Sequence, residues 1–291
     1  MSIYSIVNGA GSAGKTTTAV ALATLLASRG ATVRLIDCDP QGTASHCTGY
    51  PVSVLADGQP TVAEVLAETA TLKDVEVPAR VPVEIDSDGM PIFDEDSVIP
   101  NLTVVPALRQ TLDEFVPRLP VIRRGVVRLR RAIAEADDVD VTILDTPGNS
   151  NALTTSAMLA TAAFEDSANS GVITCTFPGP KEVEGINVLR NELVSINDEY
   201  NTDIELRGIV ICKAVTSASQ GRLYVEYADD VKNAFGDLVG PVIRDGVSVP
   251  EAYSFYTPVP LFSRAKSITQ DYSDVLDHFI KIGLFPEAAG L

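Results

Sequence analysis

The sequence is poor in cysteine, in positive charge and in long apolar runs. Its four cysteines, Cys38, Cys47, Cys175 and Cys212, form no CxxC pair and are too scattered for a metal or disulfide framework, which fits a reduced compartment and buried thiols. Only 22 Lys and Arg stand against 39 Asp and Glu, a formal net charge of −17. That balance excludes a surface that coats nucleic acid generally, because neutralising phosphates takes Lys and Arg; any contact with DNA must be local. No apolar run is long enough to span a bilayer. Residues 1–30 lack a basic region followed by a cleavable apolar segment, since the run Ala19–Ala27 stands behind a glycine loop. A soluble, cytoplasmic protein is expected. No internal repeat or low-complexity linker divides the chain.

Aliphatic residues are plentiful. Hydrophobic residues make up 45% of the 291, and the mean hydropathy of +0.16 reflects Ala, Val, Leu and Ile, enough for a sizeable core. Length alone allows two domains, but the pattern of elements predicts a single unit over 1–291. SIYSIVN (Ser2 to Asn8) reads as a strand ending in glycines, KTTTAVALATLLASRG as a helix stopped by Gly30, and ATVRLIDCDPQG as a buried strand ending at Asp37. Further strands are predicted at Asn101–Ala107, Val139–Gly148, Gly171–Phe177 and Leu206–Lys213, with a short last one in LVGPVIRD. Helices are predicted from Pro60 or Thr61, through the arginine-rich stretch to Ala136, from Lys181 to Glu199, and from Ser263 to Ile282. The last carries Tyr272, Val275, Leu276, Phe279 and Ile280 on one face. Alternating strands and helices predict an α/β fold with a mostly parallel twisted sheet flanked by helices on both faces. Between about residues 80 and 100, VPVEIDSDGMPIFDEDS places Asp88-Gly89 between alternating segments and predicts a small acidic hairpin inserted at an edge. Its DxDG lacks the remaining ligand positions of a calcium loop.

The chemistry begins in NGAGSAGKTTTA. Gly9-Ala10-Gly11-Ser12-Ala13-Gly14-Lys15-Thr16 satisfies GxxxxGK[ST] between a predicted strand and a predicted helix. Glycines turn backbone amides toward phosphate oxygens, the helix N-terminus adds positive potential, Lys15 neutralises β and γ phosphates, and Thr16 can ligate Mg2+. Thr17 completes the nucleotide-binding run. A phosphate loop of this kind needs an acid to orient magnesium or water. Asp39 in IDCDPQG and Asp145 in VTILDTPG lie beyond or at the carboxyl ends of strands, where α/β sheets bind ligands.

At these residues the chain resembles the ParA/MinD family of deviant Walker P-loop ATPases, and most closely the small ParA-type partition proteins without an N-terminal helix-turn-helix. The resemblance covers nearly the whole chain in five ordered blocks: NGAGSAGKTTTA, IDCDPQGTAS, ILDTPGNSNALTTSAM, FPGPKEVEGINVL and VIRDGVSVPEAYSFYTPV. It implies a P-loop NTPase fold, with ATP/ADP and Mg2+ as cofactors. It also implies that Lys15 and Thr16 bind phosphates and metal, that Asp39 positions the hydrolytic water, and that Asp37 and Asp145 support the metal's shell. Ile243, Arg244 and Val247 would lie near adenine. The family's ATP-bound form is a sandwich homodimer that binds DNA without sequence preference, and a ParB-type centromere-binding partner stimulates hydrolysis and releases it from the nucleoid. Only seven residues precede Asn8, so operator-specific repression is not expected.

Two departures qualify this expectation. The family's signature lysine falls at Ala10, and Ser12 replaces the second glycine of the pair. In the family that lysine reaches the partner subunit's phosphates and supplies charge during phosphoryl transfer; its loss predicts slow hydrolysis, a weaker ATP sandwich, or another cation in its place. Pro147-Gly148 also stands where Pro-Pro is usual. Arg124, Arg128 and Arg131 are predicted to share one helix face opposite Val126, Leu129 and Ile133, as a solvated polar face or as a contact for DNA, a partner or the second subunit. Arg222 and Lys232 are further DNA candidates. The closing helix YSDVLDHFIKIGLFPEAAGL has Asp274 and Asp277 and only Lys281 as a full positive charge, against a membrane role. An iron-protein reading fails because Cys38 and Cys175 lack the context of cluster ligands. Two alternatives stay open: a nucleotide switch that hydrolyses little, and a dethiobiotin-synthetase-like biosynthetic ligase.

Overall fold

The computed structural model describes residues 1–8, 13–55, 58–164, 169–214 and 221–286. Nine strands are named among them: β1 (Ser2–Val7), β2 (Val33–Asp37), β3 (Val77–Arg80), β4 (Glu84–Ile85), β5 (Pro91–Ile92), β6 (Val98–Val105), β7 (Val141–Asp145), β8 (Gly171–Thr176) and β9 (Leu206–Ile211). Seven form one sheet in the order β3-β6-β2-β7-β1-β8-β9, parallel except for β3, which runs antiparallel to β6 at the edge. The helices are α1 (Lys15–Ser28), α2 (Thr43–Cys47), α3 (Val62–Ala67), α4 (Leu72–Val75), α5 (Arg109–Phe115), α6 (Arg128–Ala134), α7 (Ala152–Ala160), α8 (Glu182–Tyr200), α9 (Arg222–Phe235), α10 (Ser248–Ser254) and α11 (Lys266–Lys281).

Because the central strands are buried on both faces, their residues alternate between two apolar layers rather than between core and water. Tyr4 and Ile6 of β1 join Leu22 and Leu26 of α1 and Val275 and Phe279 of α11. Ile3 faces the other side with Leu66, Leu129 and Ile133, and Val7 continues that side against Leu189 and Leu193 of α8. The predicted inward face of the closing helix is observed for Tyr272, Val275, Leu276 and Phe279, with Ile280 partly buried against them. Among the described residues no helix is long and apolar enough to cross a membrane.

The acidic hairpin is present: β4 and β5 pair antiparallel, and Asp86 Oδ1 accepts from the backbone N–H groups of Asp88 and Met90 across the turn. It connects edge strand β3 to β6. Its tip is tied down by Tyr256, whose hydroxyl donates to the Gly89 carbonyl at 2.9 Å, and its base by Arg80, whose guanidinium lies between the Tyr50 and Phe93 rings.

Two predicted elements differ. The arginine-rich stretch is not one helix: α5 ends at Phe115, turns follow, and α6 starts only at Arg128. Gly125 is packed so that a Cβ would sit 2.1 Å from the Leu119 carbonyl oxygen, and Arg124 takes a left-handed φ of 58°. The chain therefore folds back on itself where a helix would separate these residues. Likewise LVGPVIRD makes isolated bridges, Ile209 to Val239 and Ala214 to Arg244, instead of a strand. Pro241 has no N–H to donate, which interrupts a ladder at that point.

Candidate nucleotide site

The sheet delivers three segments to one edge of its carboxyl ends, and they enclose a cleft of about 830 Å³. Ala13, Gly14, Lys15, Thr16 and Thr17 form one wall, Asp39 and Gln41 a second, and Ile243, Arg244, Val247 and Pro250 a third. That volume is in the range of small-molecule and cofactor sites. Of the sequence-predicted nucleotide residues, Ala13 through Thr17 and Ile243, Arg244 and Val247 are thus brought together. Gly9, Ala10, Gly11 and Ser12 lie outside the described residues.

Gly14 caps α1 with φ +85°, and a Cβ there would approach Cys212 Sγ to 3.1 Å, so both the turn and the packing require glycine. Lys15 follows as the first helical residue and is only 6% exposed, close enough for its charge to pull down the carboxyls of Asp39 and Asp145. β2 and β7 are neighbours in register, so Asp37 and Asp145 sit side by side. Asp37 is held by three hydrogen bonds: Oδ1 accepts from the Asp39 N–H at 3.0 Å, and Oδ2 from the Ser45 N–H at 2.8 Å and the Ser45 hydroxyl at 2.7 Å. It braces the start of α2 and the Asp39 backbone. Asp145 is the opposite case. It is fully buried, and neither oxygen has a hydrogen-bond partner among the described residues. Burial, followed by the charge of Asp37, pushes its carboxyl well above the usual range, and the Thr16 side chain offsets this in part. Burial also raises Asp37, to about 6, against the pull of its Ser45 and Asp39 donors.

An orphaned buried carboxylate facing Thr16 fits a hard divalent cation, which would satisfy the oxygens and reverse the upward shift. Among the described residues no group of three or more His, Cys, Asp or Glu converges as a ready cage. This suits Mg2+, which keeps several waters and takes few protein ligands. Asp39 is half-buried, with Oδ1 accepting from the Gln41 N–H at 2.9 Å; burial raises its pKa, while Lys15 and Arg109 pull the other way.

The cleft has members that the sequence reading did not select: Cys212, Lys213, Tyr253 and Tyr272. Tyr272 reads as a core residue of the closing helix and is one, yet its hydroxyl lies 3.2 Å from Thr18 Oγ1 at the cleft floor. Cys212 directly follows β9, so its position past a strand end was the available signal. Tyr253 stacks on His46 of α2 with ring centroids 4.1 Å apart, joining the wall to the element after Asp39. Arg244 lines the cleft, but its guanidinium makes a bidentate pair with Asp271.

The basic candidates do not form one surface. Arg128 and Arg131 both bind the carboxylate of Glu68 at 3.0 Å, and Arg128 also donates to the Leu66 carbonyl. Arg124 is exposed on a turn and does not share their helix. Arg222 pairs with Glu226 one turn along α9, and Lys232 is exposed near the end of that helix beside Asp229 and Asp230.

A left-handed Gly14 opening a helix at Lys15, buried carboxylates on the neighbouring strand ends and a facing loop define a nucleotide-binding α/β protein. Residues 4–259 match the family described as the CobQ/CobB/MinD/ParA nucleotide binding domain, and the chain belongs to that family. It is 30% identical over 275 residues to the chromosome partitioning protein ParA of Caulobacter vibrioides, covering 93% of this chain and 90% of that one. It is also 29% identical over 277 residues to the sporulation initiation inhibitor protein Soj of Bacillus subtilis, covering 94% and 96%. A putative plasmid partition protein of Borrelia burgdorferi bound to AMPPNP has the same fold, with a TM-score of 0.73 at 18% identity over 97% of this chain and 99% of that one.

Proposed function

We propose that this chain is an ATP-dependent partition switch. The observation that carries the reading is the cleft itself, lined by Gly14 to Thr17, Asp39 and residues of the loop from Ile243 to Pro250, with the buried carboxylate of Asp145 close behind Thr16. Lys15 and the helix N-terminus hold the phosphates, and Thr16 and Asp145 hold magnesium, with Asp37 fixing the backbone around them rather than ligating. When bound there, magnesium would supply neutralisation of phosphate charge. Asp39 orients the attacking water. The two ParA and Soj relatives, at about 30% identity over nearly the whole chain, support a segregation role over a biosynthetic ligase. In this reading ATP promotes a homodimer that binds DNA nonspecifically on the nucleoid, and a ParB-type partner stimulates turnover. Ala10 removes one positive charge from the reacting phosphates, so intrinsic hydrolysis is slow.

The test pairs two substitutions. Lys15→Ala abolishes ATP binding in calorimetry, whereas Asp39→Ala binds ATP and loses roughly 10²-fold or more in turnover, the scale of one positioned acid–base group. An Asp39→Ala protein that hydrolyses at the wild-type rate removes Asp39 from its role. Turnover that responds to a small carboxylate or amine substrate, and to neither DNA nor a centromere-binding protein, replaces partition with biosynthesis.

A further inference from the structure

The loop that walls the cleft opposite the phosphate side, residues 243–247, is tied at its start to the end of β9: Ile243 N–H donates to the Ile211 carbonyl at 2.8 Å, and Ala214 exchanges backbone hydrogen bonds with Ile243 and Asp245 at 2.9 and 3.2 Å. Beyond that, α11 holds it through side chains. Asp271 accepts three hydrogen bonds from Arg244: from its backbone N–H at 3.0 Å, from Nε at 2.7 Å and from Nη2 at 2.8 Å. The Asp271 side chain is 9% exposed, and that of Arg244 43%. Gly246 lies so close to the same helix that a Cβ would meet Ile268 Cδ1 at 2.6 Å. The next residue of α11, Tyr272, reaches the other wall, its hydroxyl 3.2 Å from Thr18 Oγ1 in the helix that follows the phosphate turn. Two consecutive residues of one helix therefore fix the separation of the two walls.

We infer that Asp271 is a positioning residue for the nucleoside end of the cleft: acting through Arg244, it sets the affinity for base and ribose while leaving the phosphate grip of Lys15 unchanged. Asp271 is not among the cleft-lining residues, so its effect passes through the loop. A carboxylate that takes two guanidinium nitrogens, Nε and Nη2, and a backbone N–H defines position as well as energy, because the fork geometry admits one arrangement. This inference rests on the nucleotide reading above.

The experiment measures binding of Mg-ATP and of magnesium tripolyphosphate to the full chain by calorimetry, together with steady-state kinetics. Wild type binding ATP more tightly than tripolyphosphate tests the nucleotide reading; a wild type with no preference for the nucleoside overturns that reading, whatever the variants do. Asp271→Asn, which keeps the shape and removes the charge, is expected to weaken ATP about tenfold and to leave tripolyphosphate within twofold. KM for ATP rises and kcat stays within twofold. Arg244→Met reproduces the selective loss, and Arg244→Lys, with charge but no fork, falls between the two. Combining Asp271→Asn with Arg244→Met gives less than the product of the single effects, as coupled partners do. Equal losses for ATP and tripolyphosphate, or an unchanged ATP affinity in Asp271→Asn, overturn the inference. Should Asp271→Asn fail to fold, Arg244→Met and Arg244→Lys carry the same comparison.

Discussion

Asp37 and Asp145 are adjacent aspartates at the ends of adjacent strands, and the sequence cannot tell them apart. Both follow a buried apolar run, and both were assigned to the metal's surroundings. What separates them is the partner each finds: Ser45, eight residues downstream of Asp37, reaches back to bind it with backbone and side chain, while Asp145 has only the Thr16 side chain nearby among the described residues. The placing of Ala13 to Thr17 at the cleft is local in sequence and was legible; Cys212 and Tyr272 arrive there through tertiary packing and were not. His46 shows the same limit. Its ring is stacked between Tyr253 and Tyr256, and Nε2 lies 2.9 Å from the Tyr253 carbonyl. Burial lowers its pKa, outweighing that carbonyl. The neutral ring is thus favoured by folding, so its contribution to stability is full above the unfolded value of about 6.5 and is lost as pH falls through the lower folded value. Thermal melts of wild type and His46→Phe between pH 7.5 and 5 check this: the wild type loses melting temperature faster on acidification, and the Phe variant, which cannot take up a proton there, follows a shallower slope.

At the scale of elements, patterning worked where local chemistry decides and failed where a distant group does. The helix predicted from Pro60 or Thr61 is α3, started by a capping box in which Glu64 accepts from the Thr61 N–H and hydroxyl, a signature readable within four residues. The turn at Asp88-Gly89 was equally local, and Gly89 has the left-handed φ of 80° that such a turn needs. The arginine-rich stretch has helical spacing throughout, and its interruption depends on the contact of Gly125 with Leu119. Arg128 and Arg131 are then drawn to Glu68 of a different element, which removes them from the free basic face that periodicity suggested. Gly125→Ala is expected to destabilise the chain by about 2 kcal/mol or more, because the added methyl overlaps a backbone oxygen and no side-chain rotation relieves it. Urea unfolding at neutral pH measures this, and a variant as stable as wild type removes that contact as the cause of the break.

For the whole molecule, the mostly parallel sheet followed from the alternation of strands and helices and is observed, whereas the strand order was not legible from that alternation. The edges were less legible: β3 runs against its neighbour, and β9 is flanked by bridges from a segment that forms no strand. A net charge of −17 makes association of two copies unfavourable at long range unless the nucleotide brings its own short-range contacts. The Asp39→Ala chain, which retains ATP, is expected to sediment near its own mass of 30.9 kDa with ADP and near twice that with Mg-ATP. A monomer under both conditions shows that Ala10 has cost the chain its sandwich.

The acidic hairpin has the outward marks of a permissive loop: it is short, exposed, rich in Asp and Glu, and placed at a sheet edge. Such tips usually accept tags and inserted domains without consequence. Here the Gly89 carbonyl is the far end of a tie that runs through the Tyr256 hydroxyl to the ring stack on His46, and from α2 to the Asp39 turn. Cargo grafted at residues 87–89 therefore pulls on the helix next to Asp39, so that this margin of the protein is a handle on its centre.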